Sequence, residues 1–258
     1  MSLMAGTDHS LLSLGKQVNQ FSPKFTLAEL TVHAGNQAFV QRIDRFVEEF
    51  GNEGRYRLIA LHGPVGSGKS HLLHALGHAL TARHGEVKVL YLTIDSFINS
   101  LIEGVRSQCI DQLREFLDSL DLILLDYFHY LADKEKSQSE FQRLLRQVIL
   151  SHRRLVVTSY SDNEISGVLR RIRFFPHFRH WERFEIRLPD RDGYRQILRR
   201  WIQQAGMDIS EATQETLIDY SDNISLLGAL WSRMQVESSH EQRAITPSFV
   251  EEVVNRIW

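Results

Sequence analysis

Apolar residues recur at Ala38, Phe39, Val40, Ile43, Phe46, Val47 and Phe50, a helical period that ends at Gly51, so a helix is expected over 36–50. Short β-rich runs then alternate with helical ones. "YRLIALHG" (56–63), "VKVLYLT" (87–93), "LDLILLD" (120–126) and "RLVVTSY" (154–160) are brief, apolar and bounded by turn or charged residues, the pattern of buried strands. Helical spacing fits 69–83, 95–105, 111–119 and 138–152. Strands buried on both faces, each followed by a helix, predict a parallel sheet in an α/β sandwich. "RFEIRLPD" (183–190) reads as a last strand closing on Pro189, after which 190–204, 211–220, 223–238 and 247–257 all read as helices. The expected organisation is a loose tail over 1–22, an α/β domain over 23–189 and a small all-α domain over 190–258.

Composition narrows the class. With 258 residues, 43% hydrophobic and 24% charged, the chain is long enough for one α/β core and a small second domain. No apolar run approaches the ~20 residues that span a bilayer, and no signal-peptide core opens the chain. A single cysteine, Cys109, excludes an internal disulfide and a cysteine-based zinc site. A cytoplasmic protein with no membrane partner is expected. The net charge of −2 argues against a uniformly basic nucleic-acid binder, yet residues 141–200 carry fourteen arginines against six acidic residues, a net +8. Such a stretch suits phosphates or an acidic partner surface, or simply forms solvated helix faces.

The sharpest signal is "GPVGSGKS". It fits G-x-x-x-x-G-K-[ST] with Gly63, Gly68, Lys69 and Ser70, and it follows a strand and opens a helix. Glycines let the backbone wrap phosphates so that N–H groups and the helix N-terminus face the anion. The nucleotide-holding set is therefore Gly63, Pro64, Val65, Gly66, Ser67, Gly68, Lys69, Ser70 and His71, for ATP or ADP with Mg²⁺. Lys69 would neutralise β/γ-phosphate charge, and Ser70 and Asp126, the latter ending a central strand, would anchor the Mg²⁺. His71, His74 and His78 repeat at i, i+3 and i+7 on the same helix, but no acidic or thiol ligand accompanies them, so packing rather than metal binding is expected.

P-loop, strand, Mg²⁺ carboxylate, strand and all-α lid in this order resemble an AAA+ module, and the details look like the ATPase domain of the DnaA family of bacterial replication initiators. "FSPKFTLAELTVHAGNQ" resembles that family's segment leading into the nucleotide site, and "GKSHLLHALGHAL" its P-loop helix. "DLILLDYFHYLADKEKSQSEF" is similar to its Walker B strand and following loop, and "ISLLGAL" and "AITPSFVEEVV" to its lid helices. The smaller Hda-type regulators of DnaA share the module. The resemblance implies contacts with an AAA+ partner such as DnaA, or self-association. The insertion "SFINSLIEGVRSQCIDQLREFLDSLD" resembles the initiator-specific helices, which implies contact with single-stranded DNA through Ile102 and Lys136. Core packing of Ile102 and a merely solvated Lys136 are the alternatives.

The chain departs from the family where hydrolysis is performed. A carboxylate normally follows the Mg²⁺ aspartate and orients the attacking water, whereas Tyr127 stands here. A phenol, ordinarily titrating near ~10, is a poor base at neutral pH. The sensor position at the end of "VVTS" falls on Tyr160, with Thr158 and Ser159 as substitutes, and the lid arginine is missing, with Ser225 in "NISLLGAL". Arg179 is the first candidate for the neighbour-reaching arginine finger, with Arg171 and Arg173 behind it. No catalytic residue is assigned. The expected protein binds nucleotide and hydrolyses it weakly or not at all, in replication initiation or its regulation. The alternatives are an active ATPase that loads a helicase or transposase, and a nucleotide-free scaffold.

Overall fold

The computed structural model describes residues 9–50, 58–151, 153–174 and 181–257. Five parallel strands, β1 (Leu58–His62), β2 (Val89–Thr93), β3 (Leu122–Asp126), β4 (Arg154–Ser159) and β5 (Glu182–Glu185), form one sheet in the order β2-β3-β4-β1-β5. The α/β sandwich expected from the alternating pattern is therefore present. β3 and β4 are buried at every position, and each carries an apolar run through its middle, residues 122–125 and 155–157, with polar residues only at the ends.

The chain divides into two compact units, the first made of residues 1–30, 38–63 and 69–185. It holds the sheet and the helices α1 (His9–Gln17), α2 (Gln37–Glu48), α3 (Lys69–Arg83), α4 (Ile94–Arg106), α5 (Ile110–Asp118), α6 (Glu135–Leu150) and α7 (Asp162–Arg171), with a 3-10 turn at Phe128–Asp133. α3 has no single apolar stripe, its histidines standing among its leucines, and it is buried through Leu72, Leu73, His74, Leu76 and Leu80 among others. α7 adds to the expected elements; Ser161 caps it by accepting the Glu164 N–H at 3.3 Å.

The second unit comprises residues 31–37, 64–68 and 186–258. Helices α8 (Arg191–Gln204), α9 (Glu211–Asp219), α10 (Ile224–Glu241) and α11 (Pro247–Ile257) pack around Leu198, Leu217, Leu227, Met234, Phe249 and Val250. Asp190, Ser210 and Asn223 cap the first three of these, each cap worth about 1 kcal/mol.

Two expectations are corrected. The tail expected to be loose contains α1, whose Leu14 lies in the sheet core, and Val18 forms an antiparallel bridge to Leu90 on edge strand β2. Asn19 closes that edge: its N–H meets the Val89 carbonyl, its Oδ1 accepts the Val89 N–H and its Nδ2 reaches the Val87 carbonyl, all at 2.8 Å. An uncovered edge strand is a liability, and too few apolar residues stand in this stretch to show a period. The last strand also ends at Glu185 rather than at 190, because the Arg187 N–H goes to the Gly35 carbonyl at 3.0 Å instead. Gly35 permits that approach, since a Cβ there would lie 2.5 Å from the Arg187 oxygen.

Candidate nucleotide-binding site

The loop from Gly63 to Gly68 joins β1 to α3, and the Gly63 N–H bonds the carbonyls of Ser159 and Tyr160 at the end of β4. Gly66 and Gly68 have φ of 72° and 90°, in the left-handed region that favours glycine. Gly66 is required twice over, because a Cβ there would lie 2.3 Å from the Asn223 Oδ1. The Ile224 N–H at the head of α10 donates to the Gly66 carbonyl at 3.2 Å. α3 opens at Lys69, so the positive end of its dipole favours an anion there. The Lys69 ammonium donates to the Gly63 carbonyl at 2.7 Å. Burial lowers its pKa to about 8, against the opposing pull of Asp126.

Asp126 is buried at the end of β3 and fully partnered. The Thr158 hydroxyl and the Tyr127 N–H, the latter at 3.1 Å, donate to its Oδ1, and the Tyr91 hydroxyl donates to Oδ2 at 3.0 Å. Burial, then Asp126, push the Tyr91 phenol upward, so it stays a donor. Sequence spacing does not single out Tyr91; a tyrosine in an apolar strand usually signals a partner for its hydroxyl. The residues fit a nucleotide with a divalent ion. Lys69 is near enough to feel the charge of Asp126, and one carboxylate with the Ser70 hydroxyl is the sparse protein set that Mg²⁺ takes beside phosphate oxygens. Among the described residues no group of three histidine, cysteine or acidic side chains could hold a metal by itself.

Tyr127 follows directly, with φ 61° and ψ 40° and 41% of its surface exposed. A non-glycine residue in this conformation costs about 1–2 kcal/mol. Of the three polar residues closing β4, only Thr158 reaches Asp126. The Ser159 hydroxyl donates to Glu164 at 3.1 Å, and the Tyr160 hydroxyl lies 3.3 Å from that of Tyr130, a bond that pushes Tyr160 up to about 12. Tyr160 is thus engaged with Tyr130, and Thr158 is the one of the three in contact with Asp126. Ser225 lies in the first turn of α10.

The arginine-rich stretch is not a free cationic field. Arg143 and Arg153 pair with Asp118, Arg183 with Asp162, Arg191 and Arg195 with Glu215, and Arg199 with Glu211. Of the arginine-finger candidates, Arg171 donates to the Ala132 carbonyl at 2.7 Å and pairs with Asp133, Arg173 is exposed with φ 53°, and Arg179 lies outside the described residues. Ile102 is 45% exposed on α4, so core packing does not account for it, and Lys136 is exposed in the first turn of α6.

The three histidines of α3 hold the segment Phe21–Thr26 against the P-loop helix. His78 Nε2 lies 3.0 Å from the Ser22 carbonyl and His71 Nε2 2.9 Å from that of Thr26, while the Ser22 N–H donates to His74 Nδ1 at 3.4 Å. Phe25 stacks on His71 with ring centroids 5.0 Å apart. The side chain of His71 is therefore spent on this segment, and its backbone is what remains for phosphate. Gly77 makes room for Phe21, whose ring would lie 2.4 Å from a Cβ there. His74 in turn packs on Tyr91, centroids 4.0 Å apart, so the segment is linked through two rings to Asp126.

A family model described as the bacterial DnaA ATPase domain matches residues 21–174. The chain is 28% identical over 255 residues to the chromosomal replication initiator protein DnaA of Geobacter sulfurreducens, covering 98% of this chain and 55% of that protein. It spans about half the length of that relative. Domain III of the Thermotoga maritima replication initiation protein DnaA superposes with a TM-score of 0.83 at 20% identity, over 92% of this chain and 98% of that one. AMPPCP-bound DnaA from Aquifex aeolicus superposes with a TM-score of 0.74 at 25% identity, over 84% and 67%.

Proposed function

The chain belongs to the bacterial DnaA ATPase-domain family, and from that premise we propose that it binds ATP or ADP with Mg²⁺ and hydrolyses it slowly or not at all. The observation that carries this reading is the pairing of an intact grip with an altered second carboxylate position. Lys69 and Ser70 open α3 and Asp126 ends β3, while the next residue is a half-exposed tyrosine in left-handed backbone. Losing a positioned base costs about 10²–10⁴-fold in rate and leaves binding largely intact. Nucleotide then serves as a ligand that sets which surface is offered to an AAA+ partner, DnaA or a second copy, during replication initiation or its regulation. A cytoplasmic site of action accords with the finding that no described helix is long and apolar enough to cross a membrane.

Lys69 provides a direct test of nucleotide binding. Below pH 8 its ammonium is charged and ready for phosphate; above pH 8 it must regain a proton on binding. Affinity for ADP, measured by calorimetry, therefore falls about tenfold between pH 7 and pH 9, the fraction protonated falling by that factor. Lys69→Arg, whose charge persists, flattens the dependence. A parent affinity equal at both pH values, or no binding, overturns the assignment of Lys69 to phosphate.

Single-stranded DNA is the second ligand of this reading. Ile102 offers an exposed apolar contact, and Lys136 combines a cation with the N-terminal amides of α6, both attractive to phosphate. Lys136→Glu weakens binding to all sequences alike and shallows the salt dependence, by about 0.7 in the slope of log K against log salt for each phosphate that is no longer neutralised. Fluorescence anisotropy at two salt concentrations measures it. A parent that binds no single strand even at low salt refutes this part of the reading.

A further inference from the structure

The buried carboxylate of Asp126 is held by hydroxyls from both neighbouring strands. Tyr91 stands opposite Leu124 in the parallel pairing of β2 with β3, so Asp126, two residues further on, shares its face of the sheet as a diagonal neighbour. A phenol is long enough to cross that diagonal, and the Tyr91 hydroxyl donates to Asp126 Oδ2 at 3.0 Å. From β4 the Thr158 hydroxyl donates to Oδ1, where the Tyr127 N–H also arrives at 3.1 Å. The Tyr91 ring is backed by the His74 ring of α3, centroids 4.0 Å apart, and His74 Nδ1 in turn accepts the Ser22 N–H at 3.4 Å.

A carboxylate offers about four acceptor sites. Three are taken here, two on Oδ1 and one on Oδ2, so among the described residues the site left over is on Oδ2, beside the Tyr91 bond. Oδ2 is therefore the oxygen that Asp126 can give to an ion, and it can give one bond rather than two. That suits Mg²⁺, which demands near-ideal octahedral geometry and keeps several of its waters. Ca²⁺ accepts flexible shells and carboxylates bound through one oxygen or both. Outer partners of a ligating group orient it and tune the ion it holds. We propose that Tyr91 is a positioning residue for the divalent ion, fixing Oδ2 of Asp126 in the orientation that Mg²⁺ requires. The role rests on the reading that nucleotide is held with Mg²⁺, and it names the side chain that sets the choice of ion.

Calorimetry of ADP with the full chain, in Mg²⁺, in Ca²⁺ and in EDTA, compares the parent with Tyr91→Phe, which keeps the ring against His74 and deletes one donor. Mg²⁺ strengthens ADP binding by the parent relative to EDTA. In Tyr91→Phe that enhancement shrinks about tenfold, the scale on which outer partners of a metal ligand act, while the affinity in EDTA stays at that of the parent. The enhancement by Ca²⁺ shrinks less, so the preference for Mg²⁺ over Ca²⁺ falls as well. Lys69→Ala gives a different pattern, a loss already present in EDTA. An enhancement by Mg²⁺ as large in Tyr91→Phe as in the parent overturns the role of Tyr91 and leaves the nucleotide reading standing. A loss equal in all three conditions makes Tyr91 a support of the fold and overturns the role too. A parent that binds no ADP, or binds it no better in Mg²⁺ than in EDTA, refutes the underlying reading and the positioning role together.

Discussion

Lys69→Ala lowers the affinity for both ADP and ATP by at least about tenfold, because a charge-assisted hydrogen bond to phosphate contributes about 1.5–3 kcal/mol. The side chain stands in the first turn of α3, and within the protein it donates to the Gly63 carbonyl at the start of the loop. Its removal takes away a half-buried cation whose lowered pKa records the cost of keeping it there, so thermal unfolding without nucleotide changes little. Calorimetry with each nucleotide is the measurement. Unchanged affinity means that the phosphates are held without Lys69, and the P-loop reading then fails.

Tyr127→Asp raises ATP turnover by about tenfold or more, against an upper range near 10⁴ for a well-placed base. The substitution suits the backbone as well as the chemistry. Position 127 has φ 61° and ψ 40°, and aspartate and asparagine tolerate that region better than tyrosine does. Tyr127→Asn is therefore the matched control: it brings the same relief of strain and no carboxylate, and its turnover stays at that of the parent. Equal turnover in the two variants shows that the missing carboxylate is not what limits hydrolysis. A parent already as fast as a working AAA+ ATPase refutes slow hydrolysis altogether.

The parts of this fold that are legible in the sequence are those in which one residue class dominates a whole element. β3 and β4 are buried throughout, and the apolar runs 122–125 and 155–157 mark their middles; α3 begins at the lysine where the motif places it. Elements built by single polar residues are not legible. Asn19 secures the sheet edge with three hydrogen bonds, and nothing distinguishes it from a loop asparagine until its neighbours in space are known. α7 is within reach, since Ser161 and Glu164 have capping-box spacing, but the arginines that follow draw attention to charge instead. Charge misleads for a physical reason: a run of arginines is visible in one dimension, while Asp118, Glu215 and the other acids that neutralise it come from other elements. The candidate site divides the same way. Gly66, Lys69 and Asp126 are read from spacing, whereas the bond from Tyr91 to Asp126 exists only once β2 and β3 are paired.

The segment clasped by the α3 histidines behaves as a ruler. Its two carbonyl contacts, Ser22 to His78 and Thr26 to His71, are four residues apart on the segment and seven apart on the helix. Seven helical residues rise about 10 Å. Four residues cover that distance with enough slack for the turn in which the Phe25 N–H meets the Ser22 carbonyl, whereas three would need to be fully stretched, at about 3.3–3.6 Å each. The segment therefore tolerates changes of side chain more readily than changes of length, and removing one residue between Ser22 and Thr26 would unseat an aromatic ring from the helix that carries the phosphate grip.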